Sequence, residues 1–466
     1  MTRNEAAEQE AAQESNRSAL LLSVLCGAQF MLVLDTSVAT VALPWIGGDV
    51  GFDSAGSLQL VISLYALTLG GGLIVAGRMA DVWRAKRVFV IGLIAFTLAS
   101  VACGVATAPA VLLASRAVQG VGAALASAAG LAVLTRSYPA GPTRNRALSA
   151  WGAVGGAAGA AGLVIGGVLT QTLGWRTVFL INLPIGVALV IGALGAIRLA
   201  PATHATRRVN ALDAAVLMAG IGLLIFGLGA ISDRGLDWAV IVMFAGAILA
   251  GSAFVLLERH ATSPVVPVRI FAIPGTAPAY VVAFALNAVI GSSLFFTTLF
   301  MQHTLHAGPL ATGLGFLPNS ALVVVGSFLT GRAAAKMDVW RTLTFGCASF
   351  ILGTLLLATV PVFSAYAFPV LPGFAFIGFG LGLSFTSFTI MATEHVPERD
   401  QGSASGLLNT AQQLGFAIGI ATIVTIAQTA DDPVTGYSNG YLVDALVVAV
   451  ALTAAAVTAR ASDERS

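Results

Sequence analysis

The stretch LDTSVATVALP, residues 34–44, lies in the first long apolar run of the chain and carries a carboxylate, Asp35, well inside it. At the centre of a membrane helix an Asp costs about 2.5–3.5 kcal/mol on the insertion scale, so such residues face a cavity or a partner. That cost applies only if the run crosses a bilayer, and the rest of the chain answers this. Of its 466 residues, 57% are hydrophobic and 9% are charged, with a mean hydropathy of +0.90. Soluble domains carry roughly 25% charged residues. Apolar runs of the ~20 residues needed to cross a bilayer recur along the whole chain, whereas the short alternating segments of an outer-membrane barrel do not. The sequence therefore predicts an all-α polytopic membrane protein.

Fourteen spans are expected. The first six cover 19–41, 58–77, 88–107, 109–131, 147–170 and 177–197; two central ones cover 212–231 and 239–257. The last six cover 279–300, 310–331, 342–362, 368–391, 406–426 and 441–458. Cytoplasmic loops carry excess Lys and Arg. With the N-terminus inside, alternating segments on that side hold 20 of the 23 basic residues, leaving Arg176 and Arg234 outside and Arg116 within a span. The even count brings the C-terminus back to the cytoplasm. Residues 1–18, with Glu5, Glu8, Glu10 and Glu14, lack the basic start and cleavage site of a signal peptide and read as a disordered cytoplasmic tail; 459–466 are expected to form a cytoplasmic tail at the other end. The three cysteines fall in apolar runs and indicate neither a disulfide framework nor a metal site.

The segment GRMADVWRAKRVFVIG (77–92) matches GRAAAKMDVWRTLTFG (331–346), with Arg87 opposite Arg341. The match places the loop after the second span opposite the loop after the tenth. The chain then divides into a six-helix bundle (19–200), a two-helix insertion with its linkers (201–274) and a second six-helix bundle (275–458). Repeated halves are common in secondary transporters, whose substrate site lies between them near the midplane.

These segments resemble the major facilitator superfamily, in particular its fourteen-helix drug:proton antiporter branch. LDTSVATVALP is similar to that branch's first-helix signature, and GRMADVWRAKR to its signature between helices two and three. LLASRAVQGVGAA (112–124) resembles the fourth-helix signature around a buried Arg, here Arg116. WGAVGGAAGAAGLVIGG (151–167) resembles the fifth-helix antiporter signature; WRTVFLINLPIG (175–186) and VPERDQGSASGLLNTAQQLG (396–415) are also typical. Two positions depart from the pattern. Arg84-Ala85 stands where the family has Gly-Arg, and Gly162-Leu163 where it has Gly-Pro. The second repeat also has Ala335 opposite Asp81. The resemblance implies a multi-pass protein of the bacterial inner membrane. It would export lipophilic neutral or monocationic drugs or antibiotics, driven by the proton gradient and without a cofactor. Its partners would be a small lipophilic substrate, protons and the lipid bilayer, with no nucleic acid, and the chain would work as a monomer. A dedicated exporter of one endogenous metabolite and a proton-linked uptake permease are the alternatives.

Individual residues sharpen this reading. Desolvation favours the neutral form of a buried acid, so Asp35 is expected to exchange a proton during the cycle. Arg116 is expected at a similar depth, both roughly 10–14 Å below the outer end at 1.5 Å per residue, so the two can share a cavity. Asp213 and Asp444 are placed at helix edges, which leaves Asp35 as the single deep acid and one proton per cycle. Gly77, Arg78, Asp81, Arg84, Lys86 and Arg87 are expected to form a charge latch between neighbouring helices. Gly152, Gly155, Gly159, Gly162 and Gly166 fall on one helical stripe and predict a packing seam. Sixteen of the 25 phenylalanines follow residue 274. Phe296 and Phe385, with Asn287, Asn319, Asn409 and Gln413, are the candidate lining of a substrate cavity.

Enzyme readings are poor. The chain has no Gly-Lys pair for a P-loop, no His-Glu-x-x-His and no nucleophile elbow. A non-transporting sensor would need a further domain to signal through, and none is apparent.

Overall fold

A computed structural model describes residues 3–52, 54–82, 84–138, 142–197, 211–260, 270–271, 273, 275–333, 338–363, 365–396 and 401–463. The helices are α1 (Arg3–Val50), α2 (Ala55–Leu58), α3 (Leu60–Val82), α4 (Ala85–Gly104), α5 (Pro109–Ser137), α6 (Pro142–Leu173), α7 (Arg176–Leu180) and α8 (Asn182–Ala196). They continue with α9 (Ala211–Arg234), α10 (Trp238–His260), α11 (Thr276–Leu299), a π turn (Phe300–Thr304), α12 (Pro309–Gly315), α13 (Leu317–Ala333), α14 (Val339–Leu357), α15 (Val370–Thr393), α16 (Gln401–Ala427) and α17 (Pro433–Asp463). Among the described residues, 12 helical stretches are long and apolar enough to cross a membrane. Two further apolar stretches, Ala157–Leu173 in α6 and Ala215–Leu228 in α9, are shorter.

Three spans differ from the reading of the sequence. The first helix runs back to Arg3; the Ala-, Glu- and Gln-rich segment expected to be a disordered tail consists of good helix formers and extends it. The sixth span is broken at Ile181 into α7 and α8. The last helix starts at Pro433, not near 441, because Pro suits a first helical position and Asp432 Oδ1 accepts the Thr435 N–H at 2.9 Å.

The packing repeats. In the first half α1 lies along α6 and against α8, and α5 packs on both α3 and α4. In the second half α11 lies along α16 and against α17, and α15 packs on both α13 and α14. Lipid is as apolar as the helices, so close backbone approach replaces hydrophobic burial as the driving force. A Cβ on Gly92 would stand 2.5 Å from Ala126 N in α5, and one on Gly380 would stand 2.4 Å from Gly346 O in α14.

The two halves meet along α3 and α16, where Thr410 Oγ1 donates to Gly70 O at 3.4 Å, and at the ends away from the basic loops. Gln302 donates to Val41 O at 3.0 Å. Gln171 accepts from Leu310 N at 3.2 Å. A Cβ on Gly313 would come within 2.3 Å of Leu163 O. On the same side Arg176 ion-pairs with Asp49 and ties α7 to the end of α1. The inserted helix α9 packs on α3 and α16, and α10 packs on α9 with Trp238 and Leu249 facing outward, 77% and 72% exposed. The phenylalanines of the second half divide: Phe295, Phe296, Phe300, Phe316, Phe350 and Phe374 are fully buried, whereas Phe284, Phe328, Phe345, Phe363, Phe368, Phe376 and Phe385 are exposed.

Candidate functional site

Asp35 is 0% exposed, and so is Arg116. Arg116 Nη1 lies 2.5 Å from Asp35 Oδ2. The helices that the sequence placed at similar depth do bring these two together. Two amides complete the shell. Gln119 Nε2 donates to Asp35 Oδ1 at 2.7 Å, and Asn182 Nδ2 donates to the same oxygen at 2.8 Å. Each partner is itself held. Arg116 Nε donates to Val61 O at 2.8 Å, and Nη1 also reaches Gln119 Oε1 at 2.8 Å. Asn182 Nδ2 also donates to Ser100 Oγ at 2.9 Å, whose hydroxyl donates to Phe179 O at 2.9 Å. The Arg116 guanidinium stacks 4.2 Å from the Tyr65 ring centroid.

Local structure explains the convergence. Gln119 follows Arg116 by one helical turn, so both face α1. Asn182 is the first residue of α8, just after the break at Ile181. Every contact to Asp35 comes from a donor, so charge and hydrogen bonding together answer the cost of placing it in the membrane. Arg116 Nη2 and Asn182 Oδ1 remain buried without a partner, one donor and one acceptor in the same shell. Gln119 and Asn182 fall within the segments LLASRAVQGVGAA and WRTVFLINLPIG, but no polar periodicity in the sequence singles them out.

The glycine stripe does face α1, and it tightens toward the outer end. A Cβ on Gly155 would meet Gln29 at 3.2 Å, and one on Gly159 would meet only Val33, at 4.0 Å. On Gly162 it would stand 2.6 Å from Ser37 Cβ and 3.1 Å from Leu34 O; on Gly166, 2.7 Å from Val38 Cα. The closest seam contacts therefore grip the residues flanking Asp35. The side-chain position of Gly152 lies outside the described residues.

Of the latch residues, those with described side chains have separate surroundings. Lys86 Nζ donates to Leu194 O at 2.7 Å and Ile197 O at 2.8 Å, capping the end of α8 within its own bundle. Arg84 and Arg87 are exposed, and a side chain on Gly77 would meet open space. The side chains of Arg78 and Asp81 lie outside the described residues.

The cavity candidates also separate. Phe296 is core, packed against Tyr437 and Tyr441 of α17 with ring centroids 5.9 Å away in each case. Phe385 is half exposed and pairs with Phe388. Asn319 donates to Phe374 O at 3.3 Å, and Asn287 to Ala283 O of its own helix at 2.8 Å. Gln413 packs under Gly70 of α3, and Asn409 is exposed.

One expectation is corrected. Asp444 is not at a helix edge but 0% exposed, roughly 16 Å along α17 from Pro433 at 1.5 Å per residue. The polar run PVTGYSNG (433–440) reads as a loop, yet it is helix packed inside the protein, with Gly440 against Phe296 and Ser438 Oγ donating to Ala358 O at 2.6 Å. Among the described residues Asp35 is thus one of two acids buried far from a helix end; Asp213, 2% exposed, lies in the first turn of α9.

Residues 25–420 match the family described as Major Facilitator Superfamily. The chain is similar to the cephamycin export protein CmcT of Amycolatopsis lactamdurans, 39% identical over 87% of this chain and 84% of the relative. It is similar to the puromycin resistance protein pur8 of Streptomyces alboniger, 32% identical over 91% of this chain and 83% of the relative. The probable actinorhodin transporter of Streptomyces coelicolor is 33% identical over 87% of this chain and 72% of the relative. In fold the chain resembles a crystal structure of a POT family transporter in complex with a thioalcohol-conjugated peptide. That match has a TM-score of 0.68 at 13% identity and covers 95% of this chain and 96% of the other. The duplicated helix packing, the buried Asp35–Arg116 pair and these relatives converge on one assignment: the chain belongs to the Major Facilitator Superfamily and is a multi-pass membrane transporter, not an enzyme.

Proposed function

We propose that this protein is a proton-coupled exporter of lipophilic, neutral or monocationic antibiotics across a bacterial inner membrane. In this reading fourteen spans form two six-helix bundles flanking a two-helix insertion, and both termini are cytoplasmic. The observation that carries the reading is the ion pair of Asp35 and Arg116, closed by Gln119 and Asn182, at the heart of the first bundle. A proton arriving at Asp35 cancels one charge of the pair and leaves the Arg116 guanidinium without its counter-ion. The shell around it then has to rearrange. Asp35, through its backbone neighbours Leu34, Ser37 and Val38, is joined to the Gly162–Gly166 seam of α6. The outer end of α6 is in turn joined to α12 across the bundle interface through Leu163 and Gly313. Protonation is thereby linked to the contact between the bundles at the outer side, which supports alternating access. The Gly77–Arg87 loop serves as the latch of the outward-facing arrangement, and the substrate lies between the bundles.

Names of two relatives, a cephamycin export protein and a probable actinorhodin transporter, refer to single compounds. They favour a second reading, an exporter dedicated to one metabolite.

Puromycin and a cephamycin are the first probes. Inverted membrane vesicles made acidic inside should accumulate one of them, and an uncoupler should release it. Asp35→Asn should abolish the gradient-driven component. Accumulation indifferent to the uncoupler would end the proton-coupled reading, and gradient-driven uptake in right-side-out vesicles instead would mark an uptake permease.

A further inference from the structure

The second deep acid has no role in the cycle described so far. Asp444 sits where the last helix of the second bundle, α17, packs on its first, α11. The corresponding pair in the first bundle, α8 on α1, holds the Asn182–Asp35 contact. The acid has changed helix between the two halves: an amide on the last helix faces an acid on the first in one, and an acid faces serines in the other.

The surroundings differ in kind. Ser292 Oγ donates to Asp444 Oδ1 at 2.7 Å and Ser293 Oγ to Oδ2 at 2.7 Å. Beyond them, Thr297 Oγ1 and the Tyr441 hydroxyl are 2.7 Å apart. Along Gln401–Ala427, α16 has no titratable residue. Arg341 and Cys347 of α14, His303 of the π turn and Tyr280 of α11 are the other titratable groups on the elements that pack on α17. Among the described residues none of them forms an ion pair with Asp444. A buried carboxylate held only by hydroxyls has nothing to fix it in one protonation state, because a hydroxyl both donates and accepts.

Proton bookkeeping then closes for either state. With Asp444 charged, both serines donate to it. With Asp444 neutral, its own O–H donates to Ser292 Oγ, and Ser292 turns its hydrogen to Val289 O, already 3.0 Å away. Ser293 keeps its bond to Oδ2 throughout. No hydrogen bond is lost as the proton comes or goes. Asp35 has no such freedom, since Arg116 Nη1, Gln119 Nε2 and Asn182 Nδ2 can only donate.

We propose that Asp444, with Ser292 as its proton-sharing partner, is a second proton-carrying site of this transporter, located in the C-terminal bundle. Its part in coupling rests on the proposed proton-driven export; its ability to take up and release a proton does not. Two protonating acids raise the ceiling to two protons per cycle.

The site is tested without any substrate by infrared difference spectroscopy of the purified full chain across a pH series. A protonated-carboxyl stretch that titrates should be present in wild type, retained in Asp35→Asn and lost in Asp444→Asn. Ser292→Ala should move its frequency and midpoint, and Ser292→Thr, which keeps the hydroxyl, should restore both. No titrating band in wild type, or no band that Asp444→Asn removes, overturns the proposal. Coupling is read from puromycin accumulation in acid-loaded inverted vesicles. Its dependence on the imposed gradient should fall by about tenfold per pH unit in Asp444→Asn, the share of one proton. An unchanged dependence would remove Asp444 from coupling. If wild type carries no puromycin at all, export of that compound fails, and the infrared result still decides Asp444.

Discussion

The two bundles of this transporter bury one acid each and treat it in opposite ways. Asp35 is locked to Arg116 and two amides on two other helices. Asp444 touches only serines of one neighbouring helix. The same helix pair, first against last, supports both. What separates them is the guanidinium: where a cation faces the acid, a proton leaves that cation without its counter-ion and the shell has to rearrange, and where only hydroxyls face it, a proton comes and goes with every hydrogen bond kept. The contrast assigns different costs to removing each acid. Breaking a buried pair by deleting one partner is destabilising by about 3–5 kcal/mol, because the other charge is left uncompensated. Arg116→Ala should therefore have the largest effect on the molecule, lowering the melting temperature in detergent steeply and abolishing transport. Asp444→Asn orphans no charge, and its amide can still accept from one serine and donate to the other. A melting temperature for Asp444→Asn as low as that of Arg116→Ala would break the comparison.

The seam of α6 gives the next effect. Gly166 meets backbone of α1 and Gly159 meets almost nothing. Forcing a methyl into a closed contact costs about 1–3 kcal/mol, so Gly166→Ala should destabilise and impair transport. Gly159→Ala should fall within the ±0.5 kcal/mol or so of neutral sites. Equal losses from the two would show that the seam does not tighten toward Asp35. Gly313→Ala presses on Leu163 O across the bundle interface. It should favour the outward-open form, read as faster labelling of a cysteine introduced at Val41 from the outer side. Unchanged labelling would detach this contact from gating.

These contacts also mark how far the sequence carries. The membrane class and the pairing of Asp35 with Arg116 follow from apolar run length and from residue counts along two helices. Gln119 and Asn182 do not, because an amide in a membrane helix is as common in packing as in a site. Asp444 was hidden by its neighbours. The run PVTGYSNG is too polar to read as a membrane span, yet its second half packs inward, with Tyr437 and Gly440 buried against Phe296. Hydropathy reports what faces lipid, and a helix buried in protein escapes it. The same reasoning explains the scattered cavity candidates, since Phe296 is large and apolar whether it lines a cavity or fills a core.

A smaller effect is expected at Lys86, whose ammonium caps the last carbonyls of α8. A cation at a helix C-terminus contributes about 0.3–1 kcal/mol at an exposed site. Lys86→Ala should lower the melting temperature slightly and leave the Asp35 shell intact. Lys86→Arg should recover most of the loss. A loss on the scale of Arg116→Ala would mean that the end of α8 positions Asn182 and is part of the first acid site.

The smallest effect concerns the start of the helix that carries the second acid. Asp432 lies outside the spanning segment, and the Thr435 hydroxyl and amide hold its carboxyl below the usual carboxylate range. A carboxylate whose folded pKa is depressed stabilises above its unfolded value, near 3.9, and that contribution is lost as the pH falls through the folded value. The first turn of α17 should accordingly stay protected from hydrogen exchange at neutral pH and fray below about pH 4. Thr435 and Gly436 amides report it, the latter bonded to Asp432 O at 3.0 Å. Asp432→Asn keeps an N-cap acceptor without a titrating charge, so protection should persist into acid; Asp432→Ala should lose it at every pH. Because the turn lies one buried stretch above Asp444, the Asn variant should leave the Asp444 carboxyl band unmoved. A shift of that band would show that the start of α17 sets the position of the acid, and that the second proton site is held from the helix end as well as by Ser292 and Ser293.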